Sequence, residues 1–153
     1  MAQLPRLVSL EAHLLGDDYI LSDVVSLTPL PGNEAQDLHR DGGNIDHIIA
    51  TNCVIALVDF DSSNGPTRFV PGSHQRSHTQ NGAPGIGRIQ EGESSFDERI
   101  FEGRAGSALL YDNRLVHGRG PNASPRPRYT MSLFCCRSWV KPFMDHTVRG
   151  ALS

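Results

Sequence analysis

Ile48-Ile-Ala-Thr-Asn-Cys-Val-Ile-Ala-Leu-Val-Asp-Phe60 holds neither glycine nor proline and is dominated by β-branched and other apolar side chains. On its C-terminal side it runs into the turn-forming stretch Asp61-Ser-Ser-Asn-Gly-Pro66. An apolar run so bounded reads as a buried strand. Working outward, the same signature recurs in short pieces at Ile20–Thr28, Arg68–Val70, Ser107–Tyr111 and Tyr129–Arg137. The chain's 15 Gly and 10 Pro fall largely between these runs. The segment Thr130-Met-Ser-Leu-Phe-Cys-Cys136 alternates only loosely, as a strand does when one face is buried and the other lines a cavity. Only Leu10–Leu15, with Ser9 as N-cap, reads as helix. No repeat or heptad is present. The pattern predicts an all-β fold with little helix, a double-stranded β-helix or jelly roll of the cupin kind. The polar stretch from Gln75 to Asp97 has few large apolar residues and is a candidate lid.

The chain of 153 residues suits one domain, residues 1–153. A net charge of −3 and the absence of a basic run argue against nucleic acid and anionic membranes as partners. No apolar run reaches the ~20 residues needed to span a bilayer. The first residues carry no secretory signal pattern. Cys53, Cys135 and Cys136 include no Cys-x-x-Cys spacing, so a structural zinc site is not expected. The ordinary reading is three reduced thiols in a cytoplasmic protein.

The chemistry-bearing stretch is Gln36-Asp-Leu-His39-Arg-Asp41. Residues i and i+2 of a strand project to the same side, so His39 and Asp41 can present an imidazole and a carboxylate to one point. Alone, such a pair is weak: in a chain with seven histidines a His-x-Asp arises readily by chance, and a solvated pair at a strand end is the ordinary reading. A further histidine, His117, follows the apolar run Ala108–Tyr111. Arg128 stands eleven residues beyond it, at the opening of the last strand. Two histidines and a carboxylate are the donor set of the non-haem Fe(II) facial triad. Arginine grips a carboxylate through two parallel hydrogen bonds, which lysine cannot imitate.

Asn64-Gly-Pro-Thr67-Arg-Phe-Val-Pro-Gly-Ser-His74 resembles the central motif of the phytanoyl-CoA dioxygenase family of Fe(II)/2-oxoglutarate oxygenases. His39-Arg-Asp41, His117 and Arg128 follow that family's order and spacing, and the resemblance runs from about Gln36 to Trp139. It implies a jelly-roll enzyme in which His39, Asp41 and His117 ligate Fe(II). Arg128 would bind 2-oxoglutarate, and Gln36 and Thr67 would contact it further, with O2 as second co-substrate. The Leu38-His-Arg-Asp41 wording and the 78-residue gap between the histidines resemble the fungal branch, whose members tailor alkaloids and meroterpenoids. The implied reaction is hydroxylation, desaturation or endoperoxidation of a small, largely apolar molecule. His74 is expected to order its own turn, and Asn122 and Arg126 to shape the loop before Arg128. Asn52 and Tyr111 lie on strands whose facing the sequence leaves open.

Members of the family carry a longer stretch before the His-x-Asp motif than the 38 residues found here. An N-terminally short jelly roll would leave apolar sheet surface uncovered, and homodimerisation would cover it. Two rivals stay open. One is a non-catalytic relative or binding scaffold on the same fold; the other is a cupin-type metalloenzyme that does not use 2-oxoglutarate.

Overall fold

The computed structural model describes residues 5–41, 45–75 and 97–141. The candidate lid lies outside them except for its end residues, Gln75 and Asp97. Helix α1 (Pro5–Leu15) is followed by strands β1 (Ile20–Ser26), β2 (Ala50–Ala56) and β3 (Thr67–Phe69). After a 3-10 turn at Ser73–Gln75 come β4 (Arg99–Ile100), β5 (Ala108–Asp112), β6 (His117–Arg119) and β7 (Thr130–Cys136). One sheet has the order β1-β7-β2-β5 and the other β4-β3-β6, every pair antiparallel. Each sheet interleaves strands from distant parts of the chain, as a jelly roll does. The expected all-β architecture is present. Among the described residues no helix is long and apolar enough to cross a membrane.

Strand β2 is buried, as its apolar sequence implies: all seven of its residues are buried. Cys53 and Ile55 face a cluster with Leu133, Leu7, Leu110 and Met131. Val54 and Ala56 face the opposite way, toward Phe60, Val58, Phe101 and Tyr111. A strand covered on both faces has no polar side to show. Cys135 and Cys136 sit on opposite faces of β7, and all three thiols are buried and unpaired.

The helix departs from expectation. It begins at Pro5, so Ser9 lies inside it and caps nothing. Proline at the first helical position is preorganised for a helix start. Gly16, at φ 102°, ends the helix with its N–H on the Ala12 carbonyl at 2.9 Å. Leu7, Glu11 and Leu15 fall on one helical face and pack on the large sheet, a face visible only once the sheet exists. The edge strand β1 exposes Leu21, Val24 and Val25, with Leu27 just beyond, so uncovered apolar surface of the expected kind is present.

Glu11 is 2% exposed; one carboxylate oxygen accepts from Thr51 Oγ1 at 2.6 Å, and Oε1 has no partner among the described residues. Burial raises the Glu11 carboxyl above its usual range, against the hydrogen bonds from Thr51 and Cys135. An acid whose folded value is raised stabilises the fold while protonated, and that contribution is lost as pH climbs from the unfolded value through the folded one, so ionising Glu11 is a cost to the fold. Glu11→Gln is therefore expected to raise the melting temperature at pH 7 by a few degrees, a gain of ~1 kcal/mol, and to flatten the slope of stability above pH 4.5. Thermal melts across pH measure both.

Candidate metal centre

His39 and His117 lie opposite each other on neighbouring antiparallel segments. The His39 N–H donates to the His117 carbonyl at 2.8 Å, and the His117 N–H returns the bond to His39 at 2.9 Å. Their ring centroids are 4.5 Å apart. The segment from Gln36 to Asp41 thus runs along the outer edge of β6, with the Gln36 N–H on the Arg119 carbonyl at 2.8 Å. Gly118 makes this approach feasible: a Cβ there would stand 3.1 Å from the Gln36 carbonyl oxygen and 3.2 Å from that of Asp37. The His-Gly pairing on β6 therefore has a steric cause.

Each ring is oriented by the carbonyl two residues before it. His39 Nδ1 lies 2.9 Å from the Asp37 oxygen, and His117 Nδ1 lies 2.8 Å from the Leu115 oxygen. Carbonyls only accept, so Nδ1 carries the proton in both rings and each Nε2 keeps its lone pair for a cation. Asp41 faces both: Oδ1 is 3.4 Å from His39 Nε2, and Oδ2 is 3.4 Å from His117 Nε2. The three ligand atoms lie within 4.8 Å of one another. Burial pushes the Asp41 carboxyl up, but the imidazoles of His117 and His39 outweigh it and hold it well below the usual carboxylate range. The Asp41 carboxylate in turn raises the basicity of His39 against the effect of burial.

The strand register settles the facing of Asn52 and Tyr111, which are partners across β2 and β5. Asn52 is 7% exposed and donates from Nδ2 to Asp41 Oδ2 at 2.8 Å. The Tyr111 ring tilts against His117 at 4.8 Å. Burial, then the Asp41 charge, raises the Tyr111 phenol far above its usual value, so it stays neutral. Asn52 fixes one carboxylate oxygen and leaves the other free. Asn52→Leu is expected to weaken Co(II) affinity 10- to 100-fold by spectroscopic titration while leaving the fold intact.

Arg128 lies just before β7 and is 3% exposed. Among the described residues its Nε and Nη1 have no partner, and Nη2 reaches only the Leu27 carbonyl at 3.5 Å. Its guanidinium carbon sits 4.3 Å from the centre of the Phe60 ring. Burial, then the nearby charge of Arg119, lowers the group to about 10. A buried cation with unused donors is costly and calls for an anion. The loop ahead of it is held by Asn122, which donates to the Pro29 and Arg126 carbonyls at 2.9 and 3.0 Å and accepts from Ser124 Oγ at 2.7 Å. His74 sits in the 3-10 turn.

His39, Asp41 and His117 are thus brought together from two segments, and Arg128 stands in the wall that holds Phe60. Thr67 is buried on β3, opposite Arg119 on β6. Gln36 joins the same strand array through its backbone, with its side chain exposed. Of the residues that matter here, Asn52 and Tyr111 were the ones whose part the sequence left open; only the register of β2 with β5 and β7 could have revealed it.

Fold and donor set define the class: a jelly-roll protein carrying a two-histidine, one-carboxylate constellation suited to non-haem Fe(II). The profile of the phytanoyl-CoA dioxygenase (PhyH) family matches residues 1–130, and the chain belongs to that family. Dioxygenase FUM3 of Gibberella moniliformis is 29% identical over 140 residues, covering 85% of this chain and 43% of the relative. Dioxygenase cdmA of Talaromyces verruculosus is 37% identical over 127 residues, covering 76% of this chain and 39% of the relative. The chain thus spans less than half the length of either relative. The solved structure of the epimerase SnoN, in complex with Fe3+, alpha ketoglutarate and nogalamycin RO, aligns with a TM-score of 0.76 at 22% identity. That alignment covers 94% of this chain and 67% of SnoN.

Proposed function

We propose that this chain is an Fe(II)/2-oxoglutarate-dependent dioxygenase that oxidises a small, largely apolar organic molecule. Hydroxylation, desaturation and endoperoxidation all lie within this chemistry, and secondary-metabolite biosynthesis is the setting its fungal relatives suggest. His39 and His117, through Nε2, and Asp41 hold the metal. When bound there, Fe(II) supplies the coupling of substrate oxidation by O2 to the decarboxylation of 2-oxoglutarate to succinate and CO2. Arg128 takes the distal carboxylate of 2-oxoglutarate, with Thr67 and Gln36 as further contacts. Asn52 orients Asp41, and Tyr111 walls His117 without adding charge. Three reduced cysteines fit a cytoplasmic setting.

The observation that carries this reading is the pairing of a His-Asp-His cluster with a buried arginine that has no anionic partner among the described residues. Neither feature stabilises the metal-free protein alone. Each is accounted for by a chelating dicarboxylate spanning the two. The test is succinate formation from 2-oxoglutarate by anaerobically purified, Fe(II)-loaded protein, with and without O2. Oxygen-dependent succinate is the expected result. Stoichiometric iron binding without succinate would favour the non-catalytic relative, a reading the exposed apolar edge of β1 supports.

A further inference from the structure

Most arginines that are not fully exposed have settled partners. Arg68 forms a double hydrogen bond with Glu98 at 2.6 and 2.9 Å, and Arg114 bonds Asp112. Arg40 donates to the Arg114 and Ser73 carbonyls, and Arg137 to those of Ile48 and Leu15. Two are left over among the described residues. Arg128 keeps Nε and Nη1 unpartnered, and Arg119 has neither a hydrogen bond nor an ion pair at its guanidinium.

On β6 the side chains of His117 and Arg119, at i and i+2, project to the same face, so Arg119 shares the side that carries the metal ligand. Its cross-strand partner is the buried Thr67, as that of His117 is Phe69. Beside the larger effect of burial, the charge of Arg119 lowers the basicity of Arg128. Two guanidinium groups facing a partly desolvated space repel each other, and the repulsion grows as water leaves. A single carboxylate between them turns that repulsion into two charge-assisted attractions.

We propose that Arg119 is a second guanidinium contact for the distal carboxylate of the 2-oxo acid co-substrate, which therefore sits between two arginines and is selected for that carboxylate. The inference rests on the function proposed above and adds a specificity-determining residue to it. It predicts a steep preference for 2-oxoglutarate over 2-oxopentanoate, which has the same chelating end and chain length but no distal carboxylate.

The experiment is calorimetric titration of anaerobic, Fe(II)-loaded protein with each of the two acids. Arg119→Gln is expected to weaken 2-oxoglutarate binding roughly 10- to 100-fold and to leave 2-oxopentanoate binding unchanged. Arg119→Lys, which keeps the charge but not the fork, should fall between. Unchanged 2-oxoglutarate affinity in Arg119→Gln overturns the inference while leaving the oxygenase reading intact. Equal weakening of both acids also overturns it, since that would trace to disturbance of His117 two residues away. If Arg119→Gln does not fold, Arg119→Lys decides: wild-type affinity in that variant rules out a guanidinium contact. Failure of the unmodified protein to bind 2-oxoglutarate at all would remove the oxygenase reading itself.

Discussion

Asp41→Ala is expected to reduce oxygen-dependent succinate formation to background and to abolish stoichiometric Fe(II) binding. The carboxylate stands between two imidazole Nε2 atoms, at 3.4 Å from each. It is the only anionic donor in the cluster. Without it, only two imidazole donors remain, too few to hold a divalent iron stoichiometrically. The variant keeps its fold, because the His39–His117 pairing is made by backbone bonds that do not involve the Asp41 side chain. Co(II) titration reads the loss of the site, circular dichroism the survival of the sheets, and succinate the loss of turnover. His39→Ala should behave the same way. If the His39/Asp41 double alanine variant still decarboxylated 2-oxoglutarate, the ligand assignment would be wrong.

Arg128→Met is expected to move stability and co-substrate affinity in opposite directions. The wild-type side chain is buried with two donors unmet, and replacing buried charge by an apolar group of similar length commonly stabilises by about 1–4 kcal/mol. Part of that gain is offset, because the guanidinium also stacks on Phe60, a contact worth up to ~2 kcal/mol when desolvated. The net expectation is a ligand-free melting temperature higher by a few degrees. In the same variant the requirement for 2-oxoglutarate should rise by two orders of magnitude or more, the loss of a bidentate charged pair of ~3 kcal/mol or above. Thermal melts with and without the co-substrate measure both effects: wild type should be stabilised by 2-oxoglutarate and Arg128→Met should not. A variant that is less stable without ligand and equally responsive to it would mean Arg128 is a structural residue.

The two effects share one cause. A buried group that waits for a ligand is a cost until the ligand arrives, so functional sites are where local rules of polar satisfaction are broken. Arg128 breaks them, and Asp41 and the histidines are tolerated only through mutual compensation. Glu11 breaks them as well on the far side of the large sheet, where it packs against Thr51 rather than the metal centre.

Central strand β2 was legible because its residue types suit a strand buried on both faces, though the apolar run Ile48–Phe60 extends beyond the strand itself, Ala50–Ala56. Strands β1, β5 and β7 were legible for the same reason, within a residue or two. Strand β6 was not: His117-Gly-Arg119 has no strand propensity, and pairing with β3 on one side and with His39 on the other makes it extended. Strand β4, two residues long, leaves no periodicity to read. The helix start was misplaced because the apolar face that defines it is set by the sheet beneath.

The chain by itself determined the fold class and marked His39, Asp41 and His117 as candidate metal ligands, since residue type, order and spacing are properties of a string. Only the tertiary structure decided which faces those residues present. The backbone exchange between His39 and His117 brings the imidazoles side by side, and Gly118 permits the close approach. Register places Asn52 behind Asp41 and turns Arg119 toward the face of His117. A strand's side-chain period is two, so a slip of one residue would reverse every such assignment, and the register that forbids the slip is fixed by pairing between segments far apart in the chain.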